Sequence, residues 1–208
     1  MAFNVSQFRS QLTNDGARPS LFEVTMTFPA FVSAPAPGGV NTDITFKARA
    51  ATLPGDSVSQ ISVNYFGREI KVAGTRTFPE WTMTVINDED FGIRNSFELW
   101  MSGLNSHVTN IRNAGFRTSN TYGIDVFIKQ FSKLGPATVG AAPTLATGLS
   151  GSPIKVYQLV GAFPTDVSPI DLNWGDGDSI EEFTVTFAYQ WWLTPSGVSV
   201  STTPGETV

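Results

Sequence analysis

A single imidazole is available for acid–base work in this chain, and it sits alone. His107 lies in a polar stretch, and a Ser–His–acid triad would have to use it. A lone histidine becomes a general base only beside a nucleophile and an orienting acid. The matching G-x-S-x-G elbow is missing, because Gly148-Leu149-Ser150-Gly151 breaks the pattern at its last position. His107 therefore reads as a surface residue. Asp171 to Glu182, DLNWGDGDSIEE, gathers five carboxylates (Asp171, Asp176, Asp178, Glu181 and Glu182) that could hold a hard cation such as calcium. The EF-hand order fails, with Gly175 at the third ligand and Asp176 where the turn glycine belongs. Gly/Asp turn chemistry leading into a strand accounts for every residue there. Gly38-Gly39 is followed by no Lys-Ser/Thr, so no phosphate-cradling loop is present. Cysteine is absent, which excludes thiol nucleophiles, disulfides and thiolate-bound metals. No catalytic, cofactor or metal site is expected, and the chain does not read as an enzyme.

The remaining chemistry is that of surfaces. Trp81, Trp100, Trp174, Trp191 and Trp192 could form a sugar-binding platform, but Trp100 falls on a helical apolar stripe and others lie in or beside periodic strands, where packing is the ordinary role. Arg68, Lys71 and Arg76 are interleaved with apolar residues and lie beside Glu69, which suits a protein partner better than a nucleic-acid patch.

The elements that position these residues centre on Thr75 to Leu104. Trp81, Met83 and Val85 alternate with Thr82, Thr84 and Ile86 as a strand. Asn87-Asp88-Glu89-Asp90 stops it and supplies acceptors for a helix start, which predicts a helix over 88–104. Ile93, Phe97, Trp100, Met101 and Leu104 recur at steps of three and four, so the helix has one apolar stripe and must lie on a sheet. Gly103 weakens its end.

Taken in order, residues 1–19 form an arm with Phe3, Val5, Phe8 and Leu12 as its apolar residues. Leu21 to Phe28 is a strand with Phe22, Val24, Met26 and Phe28 on one face. Residues 29–40 read as a loop, and 44–51 as a strand alternating Ile44, Phe46, Ala48 and Ala50. The long connection 52–78 suits a protruding β-hairpin, since long structureless loops are uncommon in compact domains. Residues 122–131 form a strand with apolar residues on both faces: Ile124, Val126 and Ile128 on one, Phe127 and Phe131 on the other. It is either central or covered by another subunit. Residues 134–153 read as an exposed insertion. Residues 154–163 form a strand stopped by Pro164. Ile180 to Trp192 is the strongest strand, with Phe183, Val185, Phe187, Tyr189 and Trp191 inward. Residues 194–208 read as a mobile tail. The expected architecture is mainly β: a sandwich or barrel of antiparallel sheets carrying one long helix, in a single domain over 20–193.

With 208 residues and a formal charge of −5, the chain lacks the basic balance needed to grip phosphate backbones. Charged residues are only 15% of it, against about 25% in typical domains. Large surfaces buried against partners would explain this; a neutral Thr/Ser-rich β surface would too. No basic, then apolar, leader opens the sequence, and no apolar run is long enough for a membrane helix, so a soluble protein made in the cytoplasm is expected.

The order of four segments resembles the tail tube proteins of contractile-tailed bacteriophages. They are Ala17-Arg18-Pro19-Ser20-Leu21-Phe22-Glu23-Val24; Lys47-Ala48-Arg49-Ala50-Ala51-Thr52-Leu53-Pro54-Gly55; Gly67 to Asn87, GREIKVAGTRTFPEWTMTVIN, with Asp88-Glu89; and Gly161 to Val185, GAFPTDVSPIDLNWGDGDSIEEFTV. Loop 29–43, insertion 134–153 and tail 194–208 are expansions relative to shorter members. The resemblance implies a two-sheet β fold with a flanking helix, joined edge to edge into hexameric rings whose inner strands form one continuous β-barrel. Such rings stack into a tube inside a contractile sheath, and the genome leaves through it. The implied partners are further copies of the chain, the sheath protein, the tape measure protein, baseplate tube initiators and the tail terminator. Genomic DNA would pass the lumen without specific binding, and the host envelope would be met during injection. A polar strand face such as Thr25, Thr27, Thr184 and Thr186 would either line the lumen or form outer surface. Ring-to-ring contacts are expected from Phe3, Phe8, Val63, Arg68, Ile70, Lys71, Val72 and Arg76. The core is expected from Phe22, Val24, Trp81, Ile93, Phe97, Trp100, Phe183, Val185 and Phe187. Competing readings are a baseplate tube initiator, a type VI secretion tube protein and, from a different class, a carbohydrate-binding β module.

Overall fold

The computed structural model describes residues 5–12, 16–33, 44–45, 47–131, 153–175 and 177–195. Period-two alternation decides its centre. In β5 (Trp81–Ile86), Trp81, Met83 and Val85 are buried. In β8 (Glu182–Ala188), Phe183, Val185 and Phe187 are buried. The strands pair antiparallel, with Trp81 opposite Phe187, Met83 opposite Val185 and Val85 opposite Phe183. Six apolar side chains thus share one face and form its cross-strand pairs. β2 (Ala48–Ala51) pairs on the far side of β5. It is shorter than the strand expected from Ile44, and a bulge between Ala48 and Ala50 shifts its register. The extra residue reverses the alternation, so Ala50 is exposed and Ala51 packs on the core instead. Ile44 is buried ahead of the strand; Phe46 lies outside the described residues.

α3 (Gly92–Leu104) covers this face. Phe97 meets Phe183 and Phe187 with ring centroids 6.3 and 5.9 Å away, and Trp100 meets Phe187 at 6.4 Å. Ile93, Phe97 and Trp100 are buried as the spacing requires, whereas Met101 and Leu104 are half-buried. The helix begins later than residue 88, because Phe91 has a left-handed φ of 52° that interrupts helical geometry. The acidic run still serves it: Gly92 N donates to Asp90 Oδ1 at 3.0 Å. Gly103 has a packing role. A Cβ there would lie 2.5 Å from a ring carbon of Phe116. Phe116 itself is buried in a stretch that reads as polar.

A second set of strands faces the same core. β1 (Phe22–Met26) pairs antiparallel with β6 (Ile124–Phe131), Val24 opposite Ile128 and Met26 opposite Val126. Those four are buried, and Phe22 is half-buried against them. β1 is shorter than expected at both ends. Phe28 continues inward beyond it and meets Phe97 at 5.1 Å. Part of the expected loop 29–40 is helical, as α2 (Ala30–Ser33), with Val32 fully buried. β6 is a central strand, between β1 and β7 (Pro153–Val167).

β7 (Pro153–Val167) joins the two sheets. Its first part pairs with β6 and its last part with β8. Pro164, expected to end the strand, stands inside it opposite Phe187. A register shift between Pro164 and Asp166 follows at once, and bulges are where a ladder tolerates a residue lacking its N–H. Gly161, at φ 64°, marks the corner. The expected run 180–192 also divides there. β8 ends at Ala188, and β9 (Trp191–Leu193) continues along β7 with Trp192 opposite the buried Leu159. That register turns Trp192, and not Trp191, toward the interior: Trp192 packs on Tyr157 at 5.5 Å while Trp191 is 49% exposed. The strand order is β1-β6-β7-β8-β5-β2, all antiparallel, with β9 also on β7. The expected insertion 134–153 and tail 194–208 lie outside the described residues except Pro153, Thr194 and Pro195.

Candidate assembly surface

β3 (Ser57–Tyr65) and β4 (Arg68–Thr77) form a separate two-stranded sheet. They leave the body where β2 ends and β5 begins. Phe66 and Gly67 make the tight turn at φ 46° and 77°. Positive φ at both central residues matches strand twist in a two-residue hairpin. Gly67 takes it freely, while Phe66, 91% exposed, holds a geometry unusual for a bulky side chain.

Cross-strand register sorts the side chains onto two faces. Ile61 stands opposite Val72, Val63 opposite Ile70 and Tyr65 opposite Arg68. The other face pairs Ser62 with Lys71 and Asn64 with Glu69. The hairpin therefore has one apolar face, edged at its tip by Tyr65, Phe66 and Arg68. Ile61, Val63, Ile70 and Val72 are each about half exposed, at 54, 48, 50 and 51%. Isolated soluble domains rarely leave large apolar patches open.

The base is anchored. Trp81 Nε1 donates to the Thr52 carbonyl at 2.6 Å, and Arg76 meets Asp56 at 3.4 Å. The rings of Phe78 and Tyr189 are 6.1 Å apart. Burial pushes the Tyr189 phenol above its ordinary range, and the Asp56 carboxylate adds to the shift.

These positions divide the expected contact residues. Val63, Ile70 and Val72 share the apolar face with Arg68. Lys71 lies on the polar face, and Arg76 is tied to the base. Phe8 is 65% exposed on α1 (Val5–Gln11), away from any strand pairing, and Phe3 lies outside the described residues. Ile61, Tyr65 and Phe66, which share this face and its tip, were not among the expected contact residues. The signal for them was the mirror of Ile70 and Val72 across Gly67, readable once the turn is centred on Phe66-Gly67.

Other chemistry is sparse. His107 borders a shallow hollow with Arg94, Glu98 and Asp166, and among the described residues no hydroxyl or thiol side chain lines it. Among the described residues, no group of three or more His, Asp or Glu is placed to hold a metal. No helix among them is long and apolar enough to cross a membrane. Trp81 and Trp100 are fully buried, so two of the five tryptophans are unavailable to any sugar. Trp174 stands fully exposed in the connection 168–181 between β7 and β8, which also carries Leu172 and Ile180, 81% and 71% exposed.

Against known proteins, a family model described as phage tail tube protein matches residues 17–195. The tail tube protein gp19 of Enterobacteria phage T4 is 30% identical over 183 residues, covering 86% of this chain and 93% of that protein. A tail tube protein of Serratia phage KSP90 is 26% identical over 187 residues, covering 89% and 93%. Among solved structures, the tube-terminating cap of the anti-feeding prophage superposes with a TM-score of 0.56 at 12% identity, covering 94% of this chain and 99% of that one. The sheath–tube complex of the extracellular contractile injection system PVC gives 0.51 at 12% identity, covering 93% and 99%. At such identities the structural likeness speaks to fold alone.

Proposed function

This chain belongs to the phage tail tube protein family, and from that premise we propose that copies of it close into hexameric rings and that the β3–β4 hairpin stacks one ring on the next. The chain is a structural subunit of the tail tube and a virion component, with a non-enzymatic role. Ring closure would use the edge strands β1 and β2, whose outer backbone groups meet no strand among the described residues; closing a ring removes such edges. The observation that carries the stacking step is the uncovered apolar face of Ile61, Val63, Ile70 and Val72.

The tube would lie within a contractile sheath, begin at baseplate initiators, end at a terminator and enclose a tape measure protein until the genome passes. The acidic balance of the chain suits that passage, since a surface without a basic excess does not hold phosphates.

Negative-stain electron microscopy of the purified full chain across a concentration series tests this. Rings or stacked tubes with a central hole are expected. Val72→Glu is expected to leave the domain folded, with an unchanged melting temperature, and to shorten or abolish the stacks. Tubes of unchanged length in that variant would remove the hairpin as the stacking element.

A further inference from the structure

Stacking without end requires two different surfaces on each copy, because a patch that meets its own counterpart closes a pair and stops. We infer that the surface receiving the hairpin is the connection 168–181 of the copy in the neighbouring ring; this rests on the reading of the hairpin as the stacking element. Placement is the first ground. β5 and β8 pair from Trp81–Phe187 at one end to Ile86–Glu182 at the other. The hairpin departs at the Trp81 end, where the Thr52 carbonyl is held by the Trp81 indole. The connection departs at the Ile86 end, where Asn87 N donates to the Glu181 carbonyl at 2.9 Å and Ser168 N to the Thr184 carbonyl at 2.8 Å. The two surfaces therefore occupy opposite poles of one sheet, separated by roughly 20 Å of strand.

Composition is the second ground. Leu172, Trp174 and Ile180 are 81, 106 and 71% exposed, and with Ile170 they border one shallow hollow. Residues 168–181 include four acidic residues and no basic one, whereas β3 and β4 carry three basic residues and one acidic. Among the described residues, Arg68 and Lys71 make no ion pair, and neither do Asp171 and Asp178. Arg68 shares the apolar face with Ile70 at the hairpin tip, so its guanidinium arrives together with greasy surface. An indole face is a good receiver for a guanidinium, and nearby carboxylates complete the match. Trp174 supplies the indole, and Asp171 and Asp178 the carboxylates.

The absence of cysteine makes the contact directly testable. Val63→Cys and Leu172→Cys, placed together in the full chain and oxidised at assembling concentration, are expected to give a ladder of covalent multimers. Chains carrying one substitution each are expected to give only mixed dimers on combination. Arg68→Glu is expected to lower the ladder yield about tenfold or more at low salt, and Asp178→Arg in the same chain to restore it. Three results would overturn the proposal: dimers from Val63→Cys alone, which would put hairpin against hairpin; no ladder from the double variant; or a charge loss that Asp178→Arg fails to rescue. If Val72→Glu abolishes stacking while the ladder is missing, only the receiving surface is wrong. If Val72→Glu leaves stacking intact, the stacking role of the hairpin itself is wrong.

Discussion

Trp100 shows how far a single side chain can be followed. It has no exposed surface, its ring meets Phe28 at 5.9 Å and Phe97 at 6.3 Å, and its Nε1 donates to the Tyr122 carbonyl at 3.1 Å. Truncation would open a cavity and orphan that carbonyl. Trp100→Ala is expected to destabilise the fold by about 3–5 kcal/mol in denaturant titration. An unmoved midpoint would contradict the packing described. Trp100, Phe97 and Ile93 were legible because helical spacing is a local property. Phe116 and Gly103 were not: their meeting joins the helix to a polar stretch that follows it, and neither residue signals the other in sequence. Tyr189 adds a pH-dependent term. Its pKa is raised on folding, so its contribution is complete below the ordinary tyrosine value of 10.0 and declines as pH rises through the folded value. The melting temperature is expected to fall as pH rises from 10.0 toward the folded value, and Tyr189→Phe to blunt the fall.

At the level of elements, alternation identified the strands and failed at their ends. Strand limits here are set by partners. Pro164 is carried through β7 because β7 itself bulges at the next residue, Thr165, and the run 180–192 divides because β7 bends at Gly161. The same bend reverses which tryptophan faces inward. Gly161 is the residue on which the corner depends, since φ 64° disfavours any other side chain. A Cβ there would also lie 3.2 Å from Gln190 Cγ. Gly161→Ala is expected to cost about 1–3 kcal/mol, read from chemical denaturation. Wild-type stability in that variant would mean that the corner relaxes without strain. The hairpin was more legible than the corner, because both of its strands and its turn lie within one short stretch of chain.

For the whole molecule, the low charge content and the two poles of exposed apolar residues belong together. Surfaces buried between copies are depleted in charge, because a charge there would have to give up its hydration. The family was readable from segment order, and the residues that match it run through most of the chain. The surfaces that meet were only partly readable, because whether an apolar residue is buried inside a copy or between copies leaves the same alternation. Hydrogen exchange separates the two cases. Amides of β3 and β4, bonded only across a lone hairpin, are expected to exchange far faster than those of β5 and β8 in dispersed chains. In assembled tubes they are expected to gain protection while β5 and β8 change little. Equal hairpin exchange in both states would show that assembly leaves it uncovered.

The long strand β7 has a mechanical meaning as well. Fifteen residues of continuous backbone run through both sheets, roughly 50 Å if fully extended. A push delivered to one sheet reaches the other along the covalent backbone of β7, which is paired in both. Each subunit thus carries its own splint across the seam between its two sheets.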